Sequence, residues 1–296
     1  MALTDKLTAI ADAIRAKTGS TAKLTLEQMP AEIAGISGGD SDEIKEAVVA
    51  RSFTTFSSNA TKIGDYALAG CASLTEVNFP KATSTGKNSF AYCNSLTSVD
   101  FPSLTSIGNQ SFFNCAALVS VNFPNVTTLS GQSVSYCDKL TKMVLPKVTR
   151  VAQNAFTYNR GLKIIDLPSA TNIVTGAFGN CTVLTALVLR SATLCTLGNT
   201  AAFTNCYHLL GTTNATYNPN GDKDCYIYVP RALVDTYKSN SVWSTYASQF
   251  RALEDYTVDG TITGEFSENG PEGGLLDSNG NYLYDILQNK LITKEE

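Results

Sequence analysis

The sequence predicts a β-rich solenoid built from 22-residue coils, and three recurrences carry that prediction. A cysteine returns at Cys71, Cys93, Cys115, Cys137 and Cys181, with Asn159 in the slot between the last two. Prolines keep the same step at Pro80, Pro102, Pro124, Pro146 and Pro168, and Arg190 closes the series. Apolar residues do likewise: Leu74, Leu96, Leu118, Leu140, Leu162 and Leu184 are each followed three residues later by Val77, Val99, Val121, Met143, Ile165 and Leu187. The register runs through six copies without an insertion, and a seventh, looser copy carries Phe203, Cys206 and Leu209. A unit of this size cannot bury its own apolar face, so neighbouring copies must stack to share one core.

Within a copy the elements follow from side-chain period. In LTSVDFP, Val99 and Phe101 are two apart and point to one face of a strand, while Ser98 and Asp100 point to the other. Pro102 then ends the strand, because it has no N–H to give to a ladder. Leu104 and Ile107 form a second short apolar pair before the glycine-containing turn at Gly108. Equal steps between copies predict parallel strands about 4.8 Å apart.

The flanks read differently. Leu7, Ile10, Ala11 and Ile14 recur at helical spacing, and Gly19 follows as a stop. LTLEQMPAEIAGI is a second helical piece, with Thr25 and Gln28 at capping-box spacing. ISGGDSDEI is expected to be a hinge before the helix DEIKEAVVAR. In 227–253, Val234, Tyr237 and Lys238, and then Trp243, Tyr246, Ala247 and Phe250, continue at helical spacing after a last strand. Beyond 257 the stretch SENGPEGGLLDSNGN reads as a flexible connection. The organisation expected is 1–36 as an attachment module, 37–59 as hinge and helix, 60–256 as the repeat array with its end segment, and 257–296 as an extension.

The pattern (I/L)Gxx(A/S)FxxCxxLxxVxFP resembles the BspA-type leucine-rich repeat over roughly residues 60–256. The resemblance implies a leucine-rich-repeat solenoid, with N-terminal helices before it and a helical C-terminal cap over the last coil's open edge. Residues 10–36, IADAIRAKTGSTAKLTLEQMPAEIAGI, resemble an N-terminal module of tail proteins from phages and prophages of Gram-positive bacteria. Together these imply a virion component: helices that bind other tail proteins and form a homo-oligomer, a trimer by expectation, with an array that recognises a host surface protein or glycan. The alternative is a bacterial surface adhesin of the BspA type.

Composition narrows the chemistry. Charged residues make up 16% of the chain and the net charge is −4, with no Lys/Arg run, so a nucleic-acid surface is not expected. No run of about 18 apolar residues occurs, so no membrane span is expected. The first residues, with Asp5 and Asp12 and no long apolar stretch, do not read as a secretory signal. A single histidine, His208, leaves little room for Ser-His-Asp or Cys-His catalysis or a His-ligated metal, and no catalytic residue, metal or cofactor is expected. DSNGNYLYD starts like a calcium loop at Asp277, Asn279 and Asn281 but has Tyr282 where glycine is needed and Gln288 where glutamate should chelate; an Asn-Gly turn is expected instead.

The cysteines raise three readings: metal ladder, disulfides between coils, or buried packing. No CxxC occurs, and Asn159 would strand a disulfide partner, so reduced packing in an Asn/Cys turn ladder is expected. Cys195 and Cys225 lie outside the register and are open to forming a separate pair, although thiols are expected there too. Two surfaces are the binding candidates. One is the outward strand face, with Glu76, Asn78, Ser98, Asp100, Ser120, Asn122, Lys142 and Asp166. The other is the position before each ladder cysteine, where Tyr92, Tyr136 and Tyr158 stand although a tight turn would favour glycine or asparagine. Such tyrosines stack on sugar rings, anchor a protein partner, or simply cover the coil edge.

Overall fold

The computed structural model describes residues 53–255 and the strands Thr257–Val258, Thr261–Ile262, Tyr284–Asp285 and Lys290–Leu291. The helices expected before residue 53 lie outside the described residues, as does the turn expected at Asp277–Asn281. The chain divides into two compact units, with the boundary between Leu140 and Thr141.

In the first unit, two parallel sheets alternate along the chain. One contains β1 (Thr55–Ser57), β3 (Glu76–Asn78), β5 (Ser98–Asp100) and β7 (Ser120–Asn122) in that spatial order. The other contains β2 (Lys62–Ile63), β4 (Ser84–Thr85), β6 (Ser106–Ile107) and β8 (Thr128–Leu129). Equivalent residues pair, as in Ser98 with Ser120 and Ile107 with Leu129, so the 22-residue step of the sequence is the strand register. The first sheet already begins at Thr55, within the stretch expected to lead into the array.

The core lies between the two sheets and the turn that follows each glycine. In one coil Cys93, Leu96, Phe101, Leu104, Ile107 and Phe112 are all fully buried. At about 1.5–3 kcal/mol for each large apolar side chain removed from water, every coil contributes several such burials. Phe90 and Phe112 stack across coils with ring centroids 5.1 Å apart and planes almost parallel. The turns also stack through their backbones: the Phe90 N–H donates to Ser111 O, and the Tyr92 N–H to Phe113 O, each at 2.8 Å. Where proline interrupts the backbone ladder, side chains replace it, since Ser103 Oγ donates to Pro80 O and Asn125 Nδ2 to Pro102 O. Gly108 sits where an added Cβ would lie 2.4 Å from Gly86 O, so the close approach of these two turns requires glycine.

The second unit is built the same way. Its larger sheet has the order β16-β15-β13-β11-β9, from β9 (Lys142–Val144), β11 (Ile164–Leu167), β13 (Ala186–Leu189), β15 (Tyr226–Val229) and β16 (Phe250–Ala252). Its smaller sheet joins β10 (Arg150–Val151), β12 (Asn172–Ile173) and β14 (Thr196–Leu197). All these pairings are parallel. Each unit is thus a solenoid of stacked coils. Phe156, Phe178 and Phe203 stack in one column at 5.6 and 5.4 Å.

The end segment departs from the two helices expected. It contains a 3₁₀ turn at Arg231–Leu233, a short α-helix at Val234–Ser239 and a 3₁₀ stretch at Trp243–Gln249, and then adds strand β16 beside β15. A strand, not a helix, therefore completes the larger sheet. The aromatic side chains at helical spacing have a specific task. The Cys195 N–H donates to Tyr237 Oη at 2.8 Å, and Trp243 Nε1 donates to Cys195 O at 2.7 Å. Backbone groups that a following coil would satisfy in mid-array are satisfied here by side chains.

Candidate binding surface

Period-2 alternation places the outward positions of the first unit's strands in water. Thr55, Ser57, Glu76, Asn78, Ser98, Asp100, Ser120 and Asn122 are all exposed, while Phe56, Val77 and Val99 between them are buried. Asn78, Asp100 and Asn122 form one column by register, and Asn122 Nδ2 donates to Asp100 Oδ1 at 2.9 Å. The result is an exposed face of small hydroxyls, amides and two carboxylates.

The same face of the second unit is different, and two expected binding residues move with it. Asp166 is fully buried, not presented to a ligand. Arg190 grips it, with Nη2 2.7 Å from Oδ2 and Nε 3.2 Å from both carboxylate oxygens. Burial raises the Asp166 pKa above its ordinary value, and the Arg190 guanidinium, with a smaller contribution from Lys142, offsets only part of that rise. Beside it Ala186, Val188 and Tyr228 form an apolar cluster, with Ile164, Tyr226 and Leu253 packed against them. Lys142 is half-buried. The cause lies in the sequence: outward positions that are Asn78, Asp100 and Asn122 in the first unit become Val144 and Val188 in the second. Arg190, which stands where the other copies have proline, is the partner that sequence reasoning missed; its place beside a lone acidic residue among valines was the available signal.

The position before each ladder cysteine adopts the left-handed conformation throughout, with φ 63° at Tyr92, 56° at Asn114, 59° at Tyr136, 62° at Tyr158 and 72° at Gly70. Asparagine and glycine take this conformation readily, whereas for tyrosine it is strained by roughly 1–2 kcal/mol. Tyr92 is 50% exposed. Its ring meets Phe113 edge-on at 5.4 Å, and Phe113 meets Tyr136 at 4.9 Å. Tyr158 in the second unit carries Arg160 over its ring at 5.4 Å. Phe113 was not among the expected site residues, although its column otherwise reads Ala69, Ala91 and Ser135.

All eight cysteines are free thiols and all are buried. Cys93, Cys115 and Cys137 donate to Leu68 O, Phe90 O and Phe112 O at 3.1–3.2 Å, each reaching back one coil, and Cys181 and Cys206 do the same to Phe156 O and Phe178 O. Asn159 is likewise fully buried. Burial pushes the Cys137, Cys181 and Cys195 thiols up to about 12, so at neutral pH they hold no nucleophilic thiolate. His208 bridges Asp224, at 2.5 Å from Nδ1, and Tyr217 O, at 2.8 Å from Nε2, pinning the loop that lengthens the last copy. Among the described residues, no group of three or more His, Cys, Asp or Glu side chains is placed to hold a metal ion, and no helix is long and apolar enough to cross a membrane.

The family model for the BspA-type leucine-rich repeat region matches residues 50–103 and 83–210 in six copies, more than half of the chain. The chain belongs to the BspA-type leucine-rich repeat family. Solved leucine-rich-repeat structures resemble it in part. A leucine-rich cell surface protein from Faecalibacterium prausnitzii is 28% identical, with a TM-score of 0.48, over 53% of this chain and 46% of that one. A leucine-rich repeat protein from T. pallidum is 25% identical, with a TM-score of 0.41, over 44% of this chain and 66% of that one. One from Eubacterium ventriosum is 22% identical, with a TM-score of 0.45, over 57% and 47%. The chain thus spans about half to two thirds of the length of these structures. No curated protein matches it.

Proposed function

We propose that this chain is a non-enzymatic binding protein of the BspA adhesin type, displayed on a bacterial surface and attaching to a protein or glycan on an opposing surface. The observation that carries the reading is the first unit's outward sheet face, where every outward strand position is polar, exposed and set in register by the parallel ladder. Repeat solenoids bind along such faces because the fold fixes the spacing of their side chains before any ligand arrives. The test is saturable attachment of the labelled full chain to cultured epithelial cells and to a matrix laid down by them. Attachment is expected to fall at least tenfold in Asp100→Lys/Ser120→Lys at unchanged melting temperature. Equal attachment of wild type and variant would sink the reading.

A second reading rests on one observation, the resemblance of residues 10–36 to a phage-tail module. There the same array decorates a virion, and the N-terminal residues join tail proteins and assemble copies of the chain. Immunogold labelling separates the two: gold on the envelope of intact cells supports the adhesin, and gold on induced phage particles supports the tail protein. Deleting residues 1–51 is expected to abolish self-assembly; light scattering giving one mass for both chains would contradict that.

A further inference from the structure

We propose that Tyr92, Phe113 and Tyr136 form a carbohydrate-stacking strip on the turn edge of the first unit, a site separate from the outward sheet face, and that its ligand is an uncharged polysaccharide. Three unfavourable choices of residue meet there. Tyr92 and Tyr136 hold the left-handed conformation at φ 63° and 59°, although Gly70 and Asn114 serve the same turn in adjacent coils without strain. Phe113 is only half-buried, in a column whose other members in this unit are Ala69, Ala91 and Ser135, so the core does not need a large ring at that place. The three rings nevertheless touch one another in sequence, at 5.4 and 4.9 Å. Strain kept without a core role is the signature of a surface selected for something outside the fold.

The strip is pre-organised. The Tyr92 N–H donates to Phe113 O at 2.8 Å, so the two residues are bound through their backbones as well as their rings. The Phe113 N–H donates to Gln110 O at 3.1 Å, which puts an amide side chain in the same tight turn. Gln110 Nε2 in turn donates to Gln132 Oε1 at 3.1 Å, an amide row alongside the aromatic one. Asn114 follows Phe113 directly and is half-exposed. Ring faces for the C–H side of a sugar and amides for its hydroxyls are what carbohydrate recognition needs.

Charge decides the class of ligand. Between Asn88 and Cys137 the only charged residue is Asp100, and it belongs to the sheet face. A protein hot spot built on tyrosine usually brings arginine with it, and an anionic glycan would need cations. The segment from Asn88 to Cys137 supplies neither; of the nearest cations in sequence, Lys87 lies over the Tyr66 ring at 5.8 Å and Lys139 follows Tyr136 by three residues. The stacked turns repeat at about the 4.8 Å strand spacing, which suits a linear polymer lying along the strip.

The experiment is isothermal titration of the full chain with chitohexaose, cellohexaose and mannohexaose, beside Tyr92→Asn/Tyr136→Asn and Asp100→Lys. The double variant installs the residue that Asn114 already places in this turn. At least one saccharide is expected to bind the wild type, the double variant to bind it at least tenfold more weakly while melting at the same or a higher temperature, and Asp100→Lys to bind it unchanged. The proposal is overturned if none of the three saccharides binds, if the double variant binds equally, or if it melts lower, which would make the tyrosines part of the turn's support. Loss of saccharide binding in Asp100→Lys would also overturn it, by placing the ligand on the sheet face; loss of cell attachment alone in that variant would concern only the adhesin reading.

Discussion

The outward sheet faces of the two units come from the same 22-residue pattern and end in opposite states. In the first unit the column Asn78–Asp100–Asn122 lies in water. In the second, Asp166 and Val188 at the equivalent positions are fully buried, and Tyr228 nearly so. The backbone is alike in both, since strand pairing depends on the repeat and not on what points outward. The outward residues are therefore free to diverge: one face stays available to a partner, while the other becomes a small second core with a buried ion pair. A shared register says where a side chain points; it does not say what meets it there.

The contrast can be attacked most strongly through the ion pair. Arg190→Met is expected to cost on the order of 3–5 kcal/mol in urea unfolding, because it leaves the Asp166 carboxylate buried without its cation. A cost below about 1 kcal/mol would mean that water reaches Asp166 and the two faces are alike. At the end of the second unit, Trp243→Ala is expected to cost a similar 3–5 kcal/mol, from the lost ring and the unsatisfied Cys195 carbonyl. In the ladder, Cys115→Ala should cost about 1–2 kcal/mol, since it removes a small buried group and a weak donor to Phe90 O.

A pH effect is expected at the lengthened loop. The carboxylate of Asp224 raises the His208 pKa above 6.5, so the bridge is fully present below 6.5 and is lost as pH rises through the raised value. His208 lowers the Asp224 pKa below 3.8, so its contribution holds above 3.8 and is lost as pH falls through the lowered value. Proteolytic nicking within 211–224 should be slowest between those limits and faster on either side. A flat pH profile would break the link. Smallest of all, Asp100→Ala should change stability by no more than about 0.5 kcal/mol, because its side chain is exposed and gives up one surface hydrogen bond.

Periodicity made most of the fold legible. Strand positions, the inward set Leu96, Val99 and Phe101, and the buried thiol ladder all follow from spacing, because a stacked coil leaves one register to choose. The left-handed turn was legible at the tyrosines too, from the Asn and Gly that alternate with them. Two things were not. Asp166 sits at an outward position of a strand, and spacing cannot reveal that such a face is covered; only the valines beside it hinted so. Within the end segment Trp243, Tyr246 and Phe250 stand at helical spacing, yet that part folds as a 3₁₀ stretch and a strand. Satisfying the last coil's backbone there outweighs local helical preference.

Attachment through the first unit's outward sheet face, as proposed, can be tested directly. The native thiols are buried, so an introduced cysteine can be modified alone. Ser98→Cys on that face and Lys62→Cys on the other sheet of the same unit are both exposed sites for a polyethylene glycol maleimide. Cell attachment of the two conjugates is the direct measurement. A loss of at least tenfold is expected for the conjugate at position 98, and little change for the one at position 62. Equal attachment of the two conjugates, or loss only at position 62, would contradict it.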